Sequence, residues 1–405
     1  MKFNVKKVFK GLPFVFGKSK SDIDNQRDRL YMLILTKAIK LNSSDIHILP
    51  MKDFSEVRFR IDGELVLYKI ITTYDHLCLI NILKLYSGLD TSSHDRVQEG
   101  QLLQALPGKR SKNEFRLSFM PSEYGEKAVI RVLGRTLVSS DRKVLGFSSD
   151  DDEKLEKALI KRNGLILLCG VTGSGKTTTI YSFLNNLKKD HVNITTIEDP
   201  IEYIVEGITQ TSINSPVGYT YDSALKAVLR QDPDIIYVGE IRDSETASAA
   251  VNAVLTGHMV FSSVHSDSVL GAFLRLAKLN VKPQQISEAV NIVICQKLVQ
   301  KVCKECASTR RLTDDELEIL GIKENFIVYS ENPEGCKKCR EGTNGRSLAY
   351  EIFIPSESER LILSESLSVT NLKKMLKTHG TMNDSLLQLL KKGVISIEET
   401  LKNFK

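Results

Sequence analysis

Residues 165–179, LILLCGVTGSGKTTT, constrain the fold of this chain more than any other stretch. An apolar run leads into a glycine-rich turn, and a second apolar run follows. This order predicts a buried strand, a loop and a helix. The spacing Gly170-x-x-x-x-Gly175-Lys176-Thr177 is that of a phosphate-binding loop, in which glycines let successive backbone N–H groups point at one phosphate.

The loop also predicts which side chains contact a nucleotide. Lys176 can reach the β- and γ-phosphates, and the Thr177 hydroxyl can ligate Mg²⁺. A glycine-rich turn before an ordinary amphipathic helix is the alternative, but the complete motif between strand and helix favours nucleoside triphosphate binding. The expected ATP contacts come from Gly170, Thr172, Gly173, Ser174, Gly175, Lys176, Thr177 and Thr178.

Two acids follow predicted strands downstream of this loop. Glu198 ends the apolar strand of ITTIEDPIEY (194–203), and Glu240 lies just beyond the apolar strand 235–238. Acids at the carboxyl ends of strands face the ligand crevice of a wound sheet, where they bind Mg²⁺ or orient an attacking water. The position of Glu240 has the form of a Walker B element. For Glu198, a surface strand end with a proline stop is the alternative.

Histidines and arginines flank the later strands. His258 and His265 stand on either side of the predicted strand 259–264. A polar side chain there can sense the γ-phosphate, but an isolated histidine is often structural, and the two histidines need not share one site. Arg230 and Arg242 flank the Walker B strand, where they either contact phosphate or pair with the acids.

The cysteines predict a metal site. Cys303-x-x-Cys306 and Cys336-x-x-Cys339 form two pairs with 29 residues between them. Each pair can present two thiolates to one tetrahedral Zn²⁺, and four protein ligands make a closed, structural site. Redox-active pairs are the alternative interpretation.

Composition excludes some classes of protein. The 405 residues are 41% hydrophobic and 26% charged, which is typical of a soluble globular chain with several domains. The net charge of +6 is modest for this length, so we expect no direct nucleic-acid binding. We also expect no transmembrane segment, because no apolar run approaches the roughly 18–20 residues that a spanning helix needs. The lysine-rich start predicts a basic arm that contacts a membrane surface or an acidic partner, or else a solvated tail.

Periodicity predicts an α+β part followed by an α/β part. In the first part we expect helices and strands at 22–40, 56–68 (a hairpin turning at Asp62-Gly63), 75–88, 114–121 and 127–134. After a helix at 154–161, apolar strands at 165–169, 192–197, 235–238 and 259–264 alternate with helices, which predicts a wound, largely parallel sheet. Short helices are expected over 368–402.

Six segments follow from these patterns. They are a basic arm (1–21), an N-terminal α+β domain (22–136), a linker (137–153), a P-loop core (154–300), a tetracysteine subdomain (301–345) and a C-terminal helical segment (346–405).

Five segments in this order resemble the secretion-superfamily ATPases, and more narrowly the type II secretion and type IV pilus assembly ATPases. They are the phosphate loop, TIEDPIEY, LRQDPDIIYVGEIRDSETA, TGHMVFSSVH and the tetracysteine module. Upstream, SSDIHILP, VRFRIDG and PSEYGEK are similar to the second N-terminal domain of that family. The resemblance implies a RecA-like P-loop NTPase domain that hydrolyses ATP with Mg²⁺, and a structural Zn²⁺.

The resemblance also implies roles for particular residues. It places Glu198 in the aspartate box of the family, Glu240 in its Walker B element, and His258 and His265 in its histidine box. It implies a homo-hexamer in which the N-terminal domain of one subunit closes on the nucleotide of its neighbour, so that arginines act in trans. The candidate arginines are Arg60, Arg116 and Arg131.

By the same resemblance, the chain is expected to be a cytoplasmic motor, peripheral on the inner face of the bacterial inner membrane. Such a motor drives assembly of a pilus or secretion pseudopilus through an inner-membrane platform protein and an adaptor. Family members often carry a further domain ahead of the matched segment, where this sequence has the basic arm. The tetracysteine module favours assembly or secretion over retraction. A nucleotide-gated scaffold and a motor for conjugation or DNA uptake are the alternatives.

Overall fold

The computed structural model describes residues 20–105, 112–133, 145–161, 163–202 and 204–404. The chain divides into two compact units, Met1–Arg135 and Thr136–Lys405. Most of the predicted basic arm and residues 137–144 of the predicted linker lie outside the described residues. Within the described ranges, no helix is both long enough and apolar enough to cross a membrane.

Over its described residues, the first unit contains a six-stranded antiparallel sheet and two helices. Its elements are α1 (Lys20–Lys40), β1 (Asp45–Pro50), β2 (Ser55–Ile61), β3 (Glu64–Ile71), α2 (Thr73–Tyr86), β4 (Gln98–Ala105), β5 (Lys112–Ser122) and β6 (Gly125–Val132). The strands lie in the order β3-β2-β1-β6-β5-β4. One face of the sheet packs on both helices, and this core buries Leu35, Phe59, Leu83 and Phe115.

The predicted hairpin is confirmed as β2 and β3. Asp62 and Gly63 both have positive φ angles, 50° and 94°, and such residues form two-residue turns that match the twist of paired strands. The sequence did not predict β4. Only Gln98 and Leu102 are buried in this edge strand, so it shows no apolar alternation that a pattern could detect.

The second unit contains a seven-stranded sheet covered by helices. Up to the end of the wound sheet its elements are α3 (Ser149–Leu159), β7 (Gly164–Cys169), α4 (Lys176–Leu187), β8 (Ile194–Glu198), β9 (Thr209–Ser212), α5 (Tyr221–Val228), β10 (Ile235–Val238), α6 (Ser244–Leu255), β11 (Met259–Val264), α7 (Val269–Lys278), α8 (Pro283–Ala289) and β12 (Val290–Val302). The remaining elements are β13 (Ser308–Arg311), α9 (Asp314–Leu320), β14 (Ile327–Ser330), β15 (Thr343–Phe353), α10 (Glu357–Glu365), α11 (Val369–Leu376), α12 (Met382–Lys391) and α13 (Ile397–Asn403).

The predicted parallel strands are confirmed as β7, β8, β10 and β11. The sheet order is β15-β12-β7-β11-β10-β8-β9, and all its pairs are parallel except the antiparallel pair of β12 and β15. Because neighbouring parallel strands point the same way, their carboxyl ends meet at one edge of the sheet. That edge receives the phosphate loop and the residues that follow β8, β10 and β11.

Two predicted boundaries in the second unit are wrong. The helix expected at 154–161 is present as α3 but begins at Ser149, inside the predicted linker 137–153, because the Ser148 side chain accepts a hydrogen bond from Asp151 N and the acids of the first turn suit a helix N-terminus. The segment 346–405 is not helical at its start, because β15 extends to Phe353 and pairs with β12.

Candidate functional site

The phosphate loop connects β7 to α4 and needs its glycines. Gly170, Gly173 and Gly175 have φ angles of 145°, 80° and 88°, which L side chains rarely adopt. A Cβ on Gly170 would also lie 2.4 Å from the Gln296 carbonyl oxygen and 2.5 Å from Ser174 Oγ. The loop is therefore held tightly between its own turn and β12, and its backbone fits the predicted phosphate cradle.

Lys176 begins α4 and folds back over the loop. Its Nζ donates to the carbonyl oxygens of Gly170 at 2.7 Å and Val171 at 3.2 Å. Burial lowers the pKa of Lys176, and the negative charge of Glu240 opposes that shift. The lysine is thus already at the loop, bound to carbonyls that a phosphate can replace as acceptors. Thr177 follows it in the first turn of α4, the place where a hydroxyl can ligate Mg²⁺.

Glu240 lies at the edge of the sheet between two basic side chains. His265 Nε2 is 3.1 Å from its Oε1, and Arg242 Nε donates to its Oε2 at 2.8 Å. The structure therefore brings together Glu240 and His265, which follow the adjacent strands β10 and β11. Of the two alternatives for Arg242, the structure shows the pairing with an acid. Arg230 is exposed, and none of the ion pairs found in the described ranges includes it.

Glu198 is in a different environment from Glu240. It is 2% exposed, and its carboxylate accepts hydrogen bonds from Tyr181 Oη at 2.5 Å, Thr196 Oγ1 at 2.6 Å and Gln210 Nε2 at 3.3 Å. Burial raises the pKa of Glu198, although these three donors oppose the shift. The carboxylate thus connects β8 to the α4 tyrosine and to β9, beneath the helix that carries the loop.

His258 lies at the opposite end of β11 from His265. Its Nδ1 is 2.9 Å from the Ala253 carbonyl oxygen and 3.2 Å from Thr256 Oγ1. Since a carbonyl only accepts, Nδ1 carries a proton. The His258 carbonyl oxygen accepts from Gly164 N, at the start of β7. The two histidines are therefore not brought together, and only His265 is near the Walker B acid.

The three candidate arginines of the first unit form one row. Strand register places Arg60 opposite Asp45, Asp45 opposite Arg131, and Arg131 opposite Arg116, across β2, β1, β6 and β5. We call these four residues the arginine row. Asp45 lies 3.9 Å from Arg60 Nε and 3.3 Å from Arg131 Nε. Two guanidinium groups, those of Arg60 and Arg131, thus lie near the Asp45 carboxylate, whereas Arg116 is opposite Arg131. With three arginines and one acid, the row carries a net positive charge on the sheet face away from the helices.

The four predicted metal-binding cysteines form one cluster. Their Sγ atoms all lie within 4.8 Å of one another. Cys303 and Cys336 are separated by 3.9 Å, and Cys306 and Cys339 by 3.5 Å. Zn–S bonds of about 2.3 Å in a tetrahedron place sulfur atoms about 3.8 Å apart. The cluster therefore fits a tetrahedral metal ion.

Sequence reasoning missed Gln296 and Tyr181. Gln296 is buried in β12 and its Nε2 donates to the Ser174 carbonyl oxygen at 2.8 Å. The available signal was a glutamine directly after the apolar residues 292–295. A polar side chain at the end of a buried run needs a hydrogen-bond partner. No comparable signal marks Tyr181, because a tyrosine in an amphipathic helix is ordinary.

The environment of Glu198 predicts a pH-dependent change in stability. Its raised pKa means that the folded chain holds the proton more tightly than the unfolded chain, and this contribution is lost as pH rises through the folded-state pKa. Wild type should therefore lose stability as Glu198 ionises, whereas Glu198→Gln cannot ionise there. The difference in melting temperature, variant minus wild type, should increase from about pH 5 to pH 8. Differential scanning calorimetry measures it, with the exposed Glu245→Gln as control. A difference that does not change with pH would contradict the expectation.

Comparison with known proteins assigns the family. Residues 21–402 match the family described as Type II/IV secretion system protein. Type II secretion system protein E of Dickeya dadantii is 37% identical over 379 residues, which cover 92% of this chain and 75% of that protein. The type IV pilus assembly ATPase PilB of Acinetobacter baylyi is 35% identical over 373 residues, covering 90% of this chain and 64% of that protein. The crystal structure of the pilus retraction motor PilT with bound ADP has 26% identity and a TM-score of 0.62, covering 92% of this chain and 96% of that one. The chain therefore belongs to the type II/IV secretion system protein family, and it is an ATPase with the α/β fold that its sequence predicts.

Proposed function

We propose that this ATPase powers assembly of a type IV pilus or a type II secretion pseudopilus through an inner-membrane platform protein. The relatives named for these two machines support the proposal. The observation that carries it is the placement of Glu240, with His265, beside a complete phosphate loop. The motor would act in the cytoplasm, peripherally on the inner membrane, with an adaptor as a further partner.

In this proposal the loop residues bind and Glu240 performs the acid–base step. The backbone N–H groups of the loop and Lys176 neutralise the phosphate oxygens, on which charge accumulates as the γ-phosphoryl leaves. Glu240 orients the attacking water and accepts its proton, while His265 and Arg242 hold the carboxylate in place. The Thr177 hydroxyl would hold Mg²⁺, and that ion would supply further neutralisation of the phosphate charge. Glu198 acts at a distance, by fixing α4 through Tyr181.

We also propose a homo-hexamer in which the arginine row serves the nucleotide of a neighbouring subunit. The net positive charge of the row supports this, because an anionic phosphate is the partner that such a surface favours. Of the three arginines, Arg60 and Arg131 are near Asp45, whereas Arg116 makes none of the ion pairs identified in the described part of the chain. Arg116 is therefore the best placed of the three to act as an arginine finger.

Purified protein should show Mg²⁺-dependent ATP hydrolysis that depends on Glu240. Glu240→Gln keeps the shape of the side chain but removes the base, so turnover should fall by about 100-fold or more while ADP still binds. Phosphate release and calorimetric titration with ADP measure the two effects. Glu245→Gln, an exposed change in the next helix, should leave turnover unchanged. Full turnover in Glu240→Gln would overturn the role of this acid.

The same assay tests action in trans. Arg116→Ala should lose about 100-fold in turnover, whereas Arg58→Ala should not, because Arg58 pairs with Glu56 in the neighbouring row of the sheet. If Arg116 and Glu240 act at one site from different subunits, mixing Arg116→Ala with Glu240→Gln should restore some turnover. In a ring of random order about a quarter of the sites have both residues intact, so about a quarter of wild-type turnover is expected. No restoration, in subunits shown to exchange, would contradict the trans assignment.

The machine that this motor serves can be identified in cells. A chromosomal Lys176→Ala strain, at matched protein level, is examined for surface filaments by electron microscopy and for proteins released to the medium. Loss of filaments alone indicates a pilus motor, and loss of release alone indicates a secretion motor. Normal filaments and normal release, with inactive purified enzyme, would overturn the motor in favour of a nucleotide-gated scaffold. Loss of filaments together with loss of DNA uptake, measured by transformation of the same strain, would indicate a DNA-uptake motor.

We further propose that the cysteine cluster holds a structural Zn²⁺. Four converging sulfur atoms at tetrahedral spacing support a metal over two redox pairs. Elemental analysis should find about one zinc per chain, and Cys303→Ser/Cys336→Ser should remove it, while Cys78→Ser, in the first unit, should retain it. The metal-free variant should exchange amide hydrogens faster between residues 303 and 339. Native protein without zinc would overturn the assignment.

A further inference from the structure

The back of the phosphate loop is formed by β12, and one side chain of that strand reaches the loop. β7 ends at Cys169, which pairs with Cys295, whereas β12 continues and leaves its edge free for the loop to pack against. Gln296 is the first residue beyond that pair and is 1% exposed. Its Nε2 donates to the Ser174 carbonyl oxygen at 2.8 Å.

Gln296 contacts the loop at both ends. Its backbone carbonyl oxygen leaves no room for a side chain at Gly170, because a Cβ there would lie 2.4 Å from that oxygen. Its Nε2 would lie 3.3 Å from a Cβ on Gly175. One residue of a buried strand therefore restrains the first and the last glycine of the motif.

The hydrogen bond to Ser174 has a consequence on the other side of the loop. In a planar trans peptide, the C=O of one residue and the N–H of the next point in opposite directions. Since the Ser174 carbonyl points back at Gln296, the Gly175 N–H points away from β12, toward the front of the loop. That is the side on which successive N–H groups of such a loop receive a phosphate.

We propose that Gln296 is a positioning residue for nucleotide binding, which fixes the Ser174–Gly175 peptide so that the Gly175 N–H faces the phosphate. The proposal rests on ATP binding at this loop. Gln296 does not touch the nucleotide, and it acts through the backbone of the loop. The carboxamide does this from a place where water cannot substitute for it, because the residue is buried.

The unfavourable contribution of the Gln296 side chain to folding supports a functional role. Gln296 Oε1 is buried, and it has no hydrogen-bond partner among the described residues. A buried polar atom without a partner destabilises a fold, so an apolar residue of similar size would avoid that cost. A side chain that adds an unsatisfied oxygen while its other atom orients the phosphate loop is expected at a binding site rather than in an ordinary core.

Gln296→Leu tests the inference in the full chain. The change removes the Nε2 donor and also the unsatisfied Oε1, so the two effects on folding offset each other and the melting temperature should stay close to that of wild type. Nucleotide binding should weaken by about tenfold, as expected for loss of a hydrogen bond to a charged group. The KM for ATP should rise in parallel with little change in kcat, because the N–H contact is made in both the ground state and the transition state.

The measurements are calorimetric titration with ADP, steady-state hydrolysis of ATP and thermal unfolding. Gln300→Leu is the matched control, the same substitution four residues along the same strand, and it should bind as wild type does. Gln296→Met, a longer unbranched side chain without a donor, serves if Gln296→Leu fails to fold. It should give the same loss of affinity.

The outcomes separate this inference from the proposed function. If wild type does not bind ADP, the ATP site itself is wrong and the inference fails with it. If wild type binds and both Gln296 variants bind equally well, the positioning role is overturned. A loss of affinity that accompanies an equal loss in Gln300→Leu, or a fall in kcat with unchanged KM, would also overturn it. A raised KM with unchanged kcat and melting temperature supports it.

Discussion

The nucleotide site depends on the close approach of two backbones. Gly170 lies against the Gln296 carbonyl at a distance that excludes any side chain, and this contact is possible only because β12 extends beyond the last pair it makes with β7. The strand order determines what surrounds the loop. Because β12 lies on one side of β7 and β11 on the other, the backbone of β12 closes the back of the loop. The residues that follow β11 and β10 lie in front of it.

The acids on this edge show how environment separates residues of one type. Glu198 and Glu240 both follow parallel strands, and sequence alone gives both the same possible roles. In the structure Glu240 is half-buried between His265 and Arg242, where it can meet water and a phosphate. Glu198 is enclosed by three hydrogen-bond donors, and burial raises its pKa. A base must reach solvent-derived water to act on it, so the half-buried Glu240 suits catalysis and the fully buried Glu198 suits a supporting role.

Local patterns predicted the parts of the fold that local physics determines. The buried strands around the phosphate loop are continuous apolar runs, and the Asp62-Gly63 turn needs residues that accept positive φ. The alignment of the arginine row could not be predicted from the sequence, because it depends on the register of β2, β1, β6 and β5. Likewise, His258 and His265 look equivalent in sequence, yet they lie at opposite ends of the six-residue strand β11. Gln296 was missed because its partner is a backbone carbonyl far away in the chain.

β12 also explains why the cysteine cluster lies where it does. The strand runs from Val290 to Val302 and the first cysteine follows directly, with Cys303 N donating to the Gly342 carbonyl. Beyond Cys295 the strand no longer pairs with β7, and β15 pairs with one of its edges. On the other edge, Gln300 N donates to Glu399 Oε1 and Val302 N donates to the Val394 carbonyl oxygen. The cluster joins the residue after β12 to the loop before β15, so it closes the same strand pair whose other part forms the back wall of the phosphate loop.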